Sequence, residues 1–330
     1  MTMFNLISVG DAVWDTHVLI NDASVECDAD KRNCRLCFDF AAKVPVTETF
    51  QTLGGNAANV ACGAARFGLT AAVLTTLGND PNGRMIKSAL KKFGVSGELI
   101  SSDSKNTTRY SIVLNFQGER TILSHYEKKF YHWPKKLAPT DWIYYTSLSE
   151  GFEPIHEQLL AYLKKYPTVR LAFNPGSFQI KNAMSKVKEA IKRADLLFLN
   201  LEEAEKILGS DRRKEKTANA FIGQLVQFGA KEVIITDAER GAFAGDFDEC
   251  WQIPSFPVKP VAKTGAGDAF SAGYLAARFF EHDIPTALRW GIANSCSVIG
   301  QYGAQKGLLD KAGVEKMFKR FPNVKAKQVA

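Results

Sequence analysis

Two glycines, an alanine and a carboxylate stand together in Thr264-Gly265-Ala266-Gly267-Asp268, just ahead of a small-residue run with helical spacing from Ala269 to Ala277. Glycine lets a backbone turn tightly and come close to a ligand. The run that follows is a good helix former, so the glycines fall at a helix N-terminus. There the unpaired N–H groups and the positive end of the helix dipole attract anions. A carboxylate in that first turn suggests a phosphate and a base meeting at one point. A plain loop-to-helix junction, with Asp268 as a capping carboxylate, accounts for the same spacing. Two more carboxylates, Asp11 and Asp15, follow the apolar run Asn5–Val9, and Gly54-Gly55-Asn56 opens a second Ala-rich helix that carries Asn59.

The elements that must position these residues are read from periodicity. Asn5 to Val9 is a buried strand, Ala57 to Phe67 a helix closed by Gly68, and Ala71 to Leu77 a strand. Asp80-Pro81 signals a helix start, and that helix ends at Gly94. From Asp141 onward strand and helix alternate. Strands are expected at Trp142–Thr146, Val169–Phe173, Leu196–Leu199 and Glu232–Thr236, and helices at Pro154–Lys164, Lys181–Arg193, Glu202–Leu208 and Ala218–Phe228. Helices at Asp268–Phe280, Pro285–Gln301 and Asp310–Phe321 complete the tail. Such alternation means a mostly parallel sheet covered on both faces, with ligands at the C-terminal ends of the strands. Asp11, Asn174, Asn200, Thr236 and Asp268 all fall at or beyond such ends. Residues 16–51 and 108–126 lack helical signal. The runs Thr16–Asn21, Leu36–Ala41 and Val44–Thr52, with the hairpin Thr108–Asn115 and Arg120–Tyr126, predict one small β-sheet made from two parts of the chain. The larger body is then residues 1–15, 52–107 and 127–330.

Composition narrows the class. With 45% hydrophobic and 23% charged residues over 330 positions, the chain is globular and long enough for one large core or two. A net charge of +7 suits an anionic ligand such as a nucleotide. The basic residues, including Arg212-Arg213-Lys214, are scattered without interleaved aromatics, so nucleic acid is not an expected partner. No apolar stretch approaches membrane-spanning length and no signal-peptide pattern opens the chain, so a cytoplasmic protein with reduced thiols and no membrane partner is expected. Cys62, Cys250 and Cys296 read as packing residues. Cys27, Cys34 and Cys37 read first as ordinary loop cysteines, since the Cys34–Cys37 pair lacks the second pair a zinc site needs.

Several motifs agree in order and placement, and through them the whole chain resembles the PfkB (ribokinase-like) carbohydrate kinases. Thr264–Asp268 resembles that family's C-terminal signature. Gly54-Gly55-Asn56-Ala57-Ala58-Asn59-Val60-Ala61, with Arg66-Phe67-Gly68 and Leu77-Gly78-Asn79-Asp80, resembles the N-terminal one. Asn200-Leu201-Glu202-Glu203 resembles the NxxE motif, and Gly10 with Asp15 the first strand and its sugar-contacting Asp. The resemblance implies a Rossmann-like α/β fold with a small β-sheet lid, and phosphoryl transfer from MgATP to a hydroxymethyl group of a sugar or nucleoside. It implies Asp268 as general base, with Gly265, Ala266 and Gly267 forming the anion hole. Sugar hydroxyls would be held by Asp11, Asp15, Gly54, Gly55, Asn59 and Asn174. ATP would be held by Asn200, Thr236, Gly241, Thr264, Gly265, Gly267 and Asn294, and Mg²⁺ by Glu203 through water. Lids in this family pair into dimers, and Phe38, Phe40 and Phe50 would suit a homodimer.

Two positions depart from the pattern. The usual Asp two residues before Thr264 is Ala262, followed by Lys263. Potassium activation is therefore not expected, and Lys263 would supply positive charge directly. At the nucleotide strand, Thr236-Asp237-Ala238-Glu239-Arg240-Gly241 carries Ala238 where the family has glycine. Acceptor identity depends on pocket side chains, with Lys43, Arg109 and Asn174 as candidates. Two rival readings are a catalytically weak sugar or nucleotide sensor on the same fold, which the intact Asp268 opposes, and a dinucleotide dehydrogenase. The latter lacks its Gly-x-Gly-x-x-Gly after the first strand.

Overall fold

The computed structural model describes residues 3–28, 34–125, 127–209 and 218–329. Tyr126 and the Arg212-Arg213-Lys214 cluster lie outside them.

Ten strands form the main sheet. Leu6–Val9 lies at its heart, flanked by Ala71–Gly78 on one side and Trp142–Tyr145 on the other, all parallel. Arg170–Phe173, Leu196–Asn200 and Glu232–Thr236 continue the parallel run outward. Ala242–Gly245, Cys250–Ile253 and Lys327–Gln328 then turn antiparallel, and Ile100–Asp103 closes the other edge. The central strands are buried on both faces, and their side chains alternate between two cores. Trp142, Tyr144, Leu196 and Phe198 face one core. Ile143, Tyr145, Leu197 and Leu199 face the other. Among the described residues no helix is long and apolar enough to cross a membrane.

The Asp80-Pro81 signal works as expected: Asp80 accepts from the Gly83 N–H at 2.8 Å, and the helix Pro81–Lys92 follows. Three details differ from the sequence reading. The helix expected over 181–193 is two, Ser177–Asn182 and Met184–Ile191, because Ala183 leaves the helical region. The strands Ile100–Asp103, Ala242–Gly245 and Cys250–Ile253 lie near sheet edges, and their four residues each are too few for a clear period. The cysteine reading is also corrected. Ser24–Cys27 and Cys34–Cys37 form a hairpin that sets Cys27 opposite Cys34, and these two are disulfide-bonded with Cα atoms 4.0 Å apart. Cys34 and Cys37 are three residues apart on an extended strand, about 10 Å and out of bonding reach.

The second sheet has four strands in the order Val46–Gly54, Val13–Ile20, Tyr110–Phe116 and Glu119–Ser124. It begins at Val13, not Thr16, so Asp15 is a strand residue of this sheet rather than part of a loop beyond the first strand. Val13–Ile20 pairs antiparallel with Val46–Gly54 and parallel with Tyr110–Phe116. A parallel pairing needs a long crossover, here the intervening helices and strands of the main sheet.

Candidate active site

The helix Ala266–Phe279 starts at Gly265, whose φ of 79° lies in the left-handed region, and any side chain there would strike Ala304. The turn thus needs glycine, and it leaves Asp268 in the first helical turn with Ala266 and Gly267 before it. Asn59, on the helix Asn56–Arg66, donates from Nδ2 to Asp268 Oδ2 at 2.7 Å, and its carbonyl oxygen accepts from Gln305. Burial pushes the Asp268 carboxyl up to about 6, against the hydrogen bonds from Asn59 and Asn56 and the charge of Arg120. Gly55 begins the Asn56–Arg66 helix at φ 89°, and a Cβ there would run into the backbone of Asp11 and Ala12. The two helix starts thereby come together at the end of Leu6–Val9.

A cavity of about 560 Å³ opens over this junction. Of the site residues named from the sequence, Asp15, Gly55, Asn59, Asn174, Asn200, Glu203, Thr236, and Thr264 through Asp268 line it. The same wall carries Asn56, Arg109, Ser111, Arg120, Ile122 and Lys263. Of the three pocket candidates, Arg109 and Asn174 line it and Lys43 does not. Asp15 accepts a hydrogen bond from Ser111, and burial raises its pKa, partly offset by Ser111 and the charge of Arg109. Gly54 lies beneath the Asp15 carboxylate, where a side chain would collide with it.

Two expected contacts are placed elsewhere. Asp11 is only 3% exposed and does not line the cavity. Its carboxylate is ion-paired with Arg109 and accepts from the Tyr131 hydroxyl at 2.7 Å. Being at the strand's end was right, but the side chain turns into a polar network under the floor. Asn294 is fully buried, donating to the Ala269 carbonyl at 2.7 Å and accepting from the Leu309 N–H at 2.9 Å. It ties two helices together, while its neighbours Ser295, Cys296 and Ile299 line a second cavity.

That second cavity, about 480 Å³, runs between Gly241 and the Ser255–Val258 segment and shares Thr236, Ala238, Lys263, Ala266 and Gly267 with the first. The two spaces meet at the glycine turn. There the Thr264 hydroxyl is buried without a hydrogen-bond partner among the described residues. A donor left in that state beside the first-turn N–H groups of a helix is what an anion would satisfy. Asn200 and Glu203 face the junction as a capping box: Asn200 Oδ1 accepts from the Glu203 N–H, and Glu203 Oε2 from the Asn200 N–H, each at 2.9 Å. Burial, foremost, pushes Glu203 up to about 7, with Asp268 adding to the rise.

Arg120, Ser111 and the Lys263–Glu119 ion pair at 2.7 Å were missed by sequence reasoning. The hairpin alternation was the available signal. Ser111, Val113 and Asn115 stand opposite Ser124, Ile122 and Arg120, so one face of the hairpin carries all six.

Residues 16–312 match the pfkB family carbohydrate kinase domain. The chain belongs to that family. As a pfkB carbohydrate kinase it is a phosphotransferase with an alcohol acceptor, of the ribokinase-like group that includes sugar and nucleoside kinases. It is 27% identical over 264 residues to a ribokinase of Haemophilus influenzae, covering 77% of this chain and 83% of that one. The fold matches an Arabidopsis thaliana ribokinase complexed with ribose and ATP at TM-score 0.77, with 20% identity, covering 96% and 99% of the two chains. It also matches a nucleoside kinase of Methanocaldococcus jannaschii at TM-score 0.73, with 19% identity, covering 97% and 100%.

Proposed function

We propose that this pfkB kinase transfers the γ-phosphoryl group of ATP to a hydroxymethyl group of a ribose- or fructose-like sugar, with Asp268 as general base. The observation that carries the reading is the Asp268 carboxylate, held by Asn59 at a helix start where two cavities meet. The acceptor's hydroxyls bind Asp15, Asn59 and the Gly55 backbone in the larger cavity, and the adenine nucleotide occupies the space bounded by Thr236, Gly241 and Ser255–Val258. As the acceptor oxygen attacks, its proton passes to Asp268, and general-base help of this kind contributes about 10²–10⁴-fold. The N–H groups of Gly265, Ala266 and Gly267, with the Thr264 hydroxyl, take up charge on the transferred group. Among the described residues there is no cluster of three or more metal-ligating side chains. A lone carboxylate on Glu203, backed by Asn200, fits Mg²⁺ held mainly by phosphate and water. Mg²⁺ bound there would neutralise phosphate charge. The small sheet, strands Val13–Ile20, Val46–Gly54, Tyr110–Phe116 and Glu119–Ser124, acts as a lid and excludes water that would otherwise take the phosphoryl group.

Three further features belong to the same reading. Ala262 is buried and Lys263 lies at the cavity junction, so turnover is independent of K⁺. The exposed Phe38 and Phe40, in the segment leading into Val46–Gly54, and Leu123 on the small sheet are covered in a homodimer. The enzyme works in the cytoplasm, where its donor is supplied. A nucleoside acceptor is the second reading, favoured by the apolar side chains of Val13, Ile122 and Phe198 on the wall of the larger cavity. An ATP-consumption assay over a panel of free sugars and nucleosides, with and without K⁺, separates these. Binding without turnover of any of them would leave a sensor in place of the kinase.

A further inference from the structure

Three cationic side chains line the larger cavity: Arg109, Arg120 and Lys263. Two are committed elsewhere. Arg109 is ion-paired with Asp11, and Lys263 Nζ lies 2.7 Å from Glu119 Oε1. The Arg120 side chain makes no hydrogen bond or ion pair with a described residue; the charges that act on it are those of Glu119 and Asp268. It stands in the site as a guanidinium with five donors unspent.

Strand register says where it stands. Arg120, Ile122 and Ser124 share one face, and Ser124 lies opposite Ser111, the residue that donates to Asp15. Arg120 is four residues from Ser124, about 13 Å along the strand, at the end beside the Gln117–Gly118 turn. Its neighbour Glu119 reaches across to Lys263, which adjoins Thr264 and Gly265. Arg120 therefore hangs over the glycine turn, not over the Asp15–Ser111 pair. Its charge also reaches Asp268, whose pKa it lowers.

We propose that Arg120 is a catalytic residue delivered by the small sheet, its guanidinium bonding the peripheral oxygens of the phosphoryl group in flight, with Glu119–Lys263 positioning the strand end that carries it. This rests on the kinase reading above. In the step itself, the acceptor oxygen forms its bond to phosphorus while the bond to the β,γ-bridging oxygen breaks. The electron pair leaves with the nucleoside diphosphate, and the acceptor proton goes to Asp268. Negative charge gathers on three oxygens that face away from the axis of attack. The glycine-turn N–H groups meet them from the main sheet, and Arg120 meets them from the other side. Donors aimed at such charge act most strongly where water is excluded.

The test uses the full-length protein and the variants Arg120→Ala and Arg120→Lys. Calorimetry measures affinity for Mg-ADP alone and for Mg-ADP with aluminium fluoride, a mimic of the planar phosphoryl group, both in the presence of an accepted sugar. Arg120→Ala is expected to bind Mg-ADP within about twofold of the parent and to lose at least about tenfold of the tightening that fluoride brings. Its kcat should fall by at least about 10²-fold at little-changed acceptor KM, with Arg120→Lys recovering part of the loss. Arg120→Lys keeps the stem and the charge, so it reports even if the alanine variant fails to fold. Unchanged tightening with unchanged kcat would overturn the proposal. So would a raised acceptor KM with kcat retained, which would make Arg120 the seat of an anionic group on the acceptor. A parent protein that binds no Mg-ADP would overturn the kinase reading itself, and this proposal with it.

Discussion

Asp268 and Arg120 face one cavity from two sheets built on opposite terms. The helix behind Asp268 is buried from Ala269 through Ala277, and Asn59 and Gln305 lock the carboxylate from the side. The strand carrying Arg120 is exposed along its whole length, Glu119 to Ser124. Its end is held to the main body by a partly exposed ion pair, Lys263–Glu119, and such pairs contribute at most about 1 kcal/mol. One half of the site is fixed by close packing, the other by a few polar contacts. Segments of the second kind open locally at low cost. The difference fits a division of proposed roles: the packed half keeps Asp268 and the glycine turn in a set geometry, while the small sheet brings Asp15 to the acceptor and Arg120 to the phosphoryl group.

The strongest way to break that division is Asp268→Asn. It should lower kcat by at least about 10²-fold while acceptor KM moves only a few-fold. Steady-state kinetics with near-parent turnover would remove Asp268 as the base. The matching change on the small sheet is Asp15→Ala, which takes away a buried carboxylate that would hold acceptor hydroxyls. It should raise acceptor KM by about tenfold or more with kcat nearly kept, the loss expected for a hydrogen bond to a charged group. A fall in kcat at constant KM would mean that Asp15 acts on the transition state, as proposed for Arg120, and not on the acceptor.

A pH profile sharpens the picture of the packed half. Glu203 is raised to about 7 and Asp268 to about 6, both chiefly by burial. The proposed roles need both as anions, so kcat/KM should fall as pH drops through 7 and more steeply below 6. In Glu203→Gln only the lower limb should remain. A flat profile down to pH 5 would mean that neither carboxylate needs its charge. The smallest effect concerns the nucleotide side. Ala238 sits at φ 46°, in the left-handed region that costs a residue with a Cβ roughly 1 kcal/mol. Ala238→Gly should therefore stabilise the protein by up to about 1 kcal/mol in a denaturant titration, less the flexibility glycine adds to the unfolded chain.

The helix starts at Gly55 and Gly265, the alternating strands from Asp141 and the capping box Asn200–Glu203 were legible in the sequence. Each is a local signal: a glycine at a forced φ, a period of two or 3.6, a side chain bonding its own helix end. The edge strands were not legible, because four residues carry no period. The disulfide was not, because pairing of Cys27 with Cys34 follows from hairpin register and the spacing of Cys34 and Cys37 suggested another partner. Asp11 and Asn294 show the same limit. Their chain positions are right for a ligand, but the directions of their side chains were set by Arg109, Tyr131, Ala269 and Leu309, all distant in the chain or on facing elements.

By itself the sequence determined the doubly covered parallel sheet, the glycine-led helix start and the carboxylate inside it, since all three follow from contacts within a few residues. Tertiary structure alone decided that Asn59 clamps Asp268, that two cavities meet at Thr264–Gly267, and that Arg120 stands unpaired above them. Those outcomes depend on strand register and helix docking across as many as 209 positions of chain, where no local preference reaches.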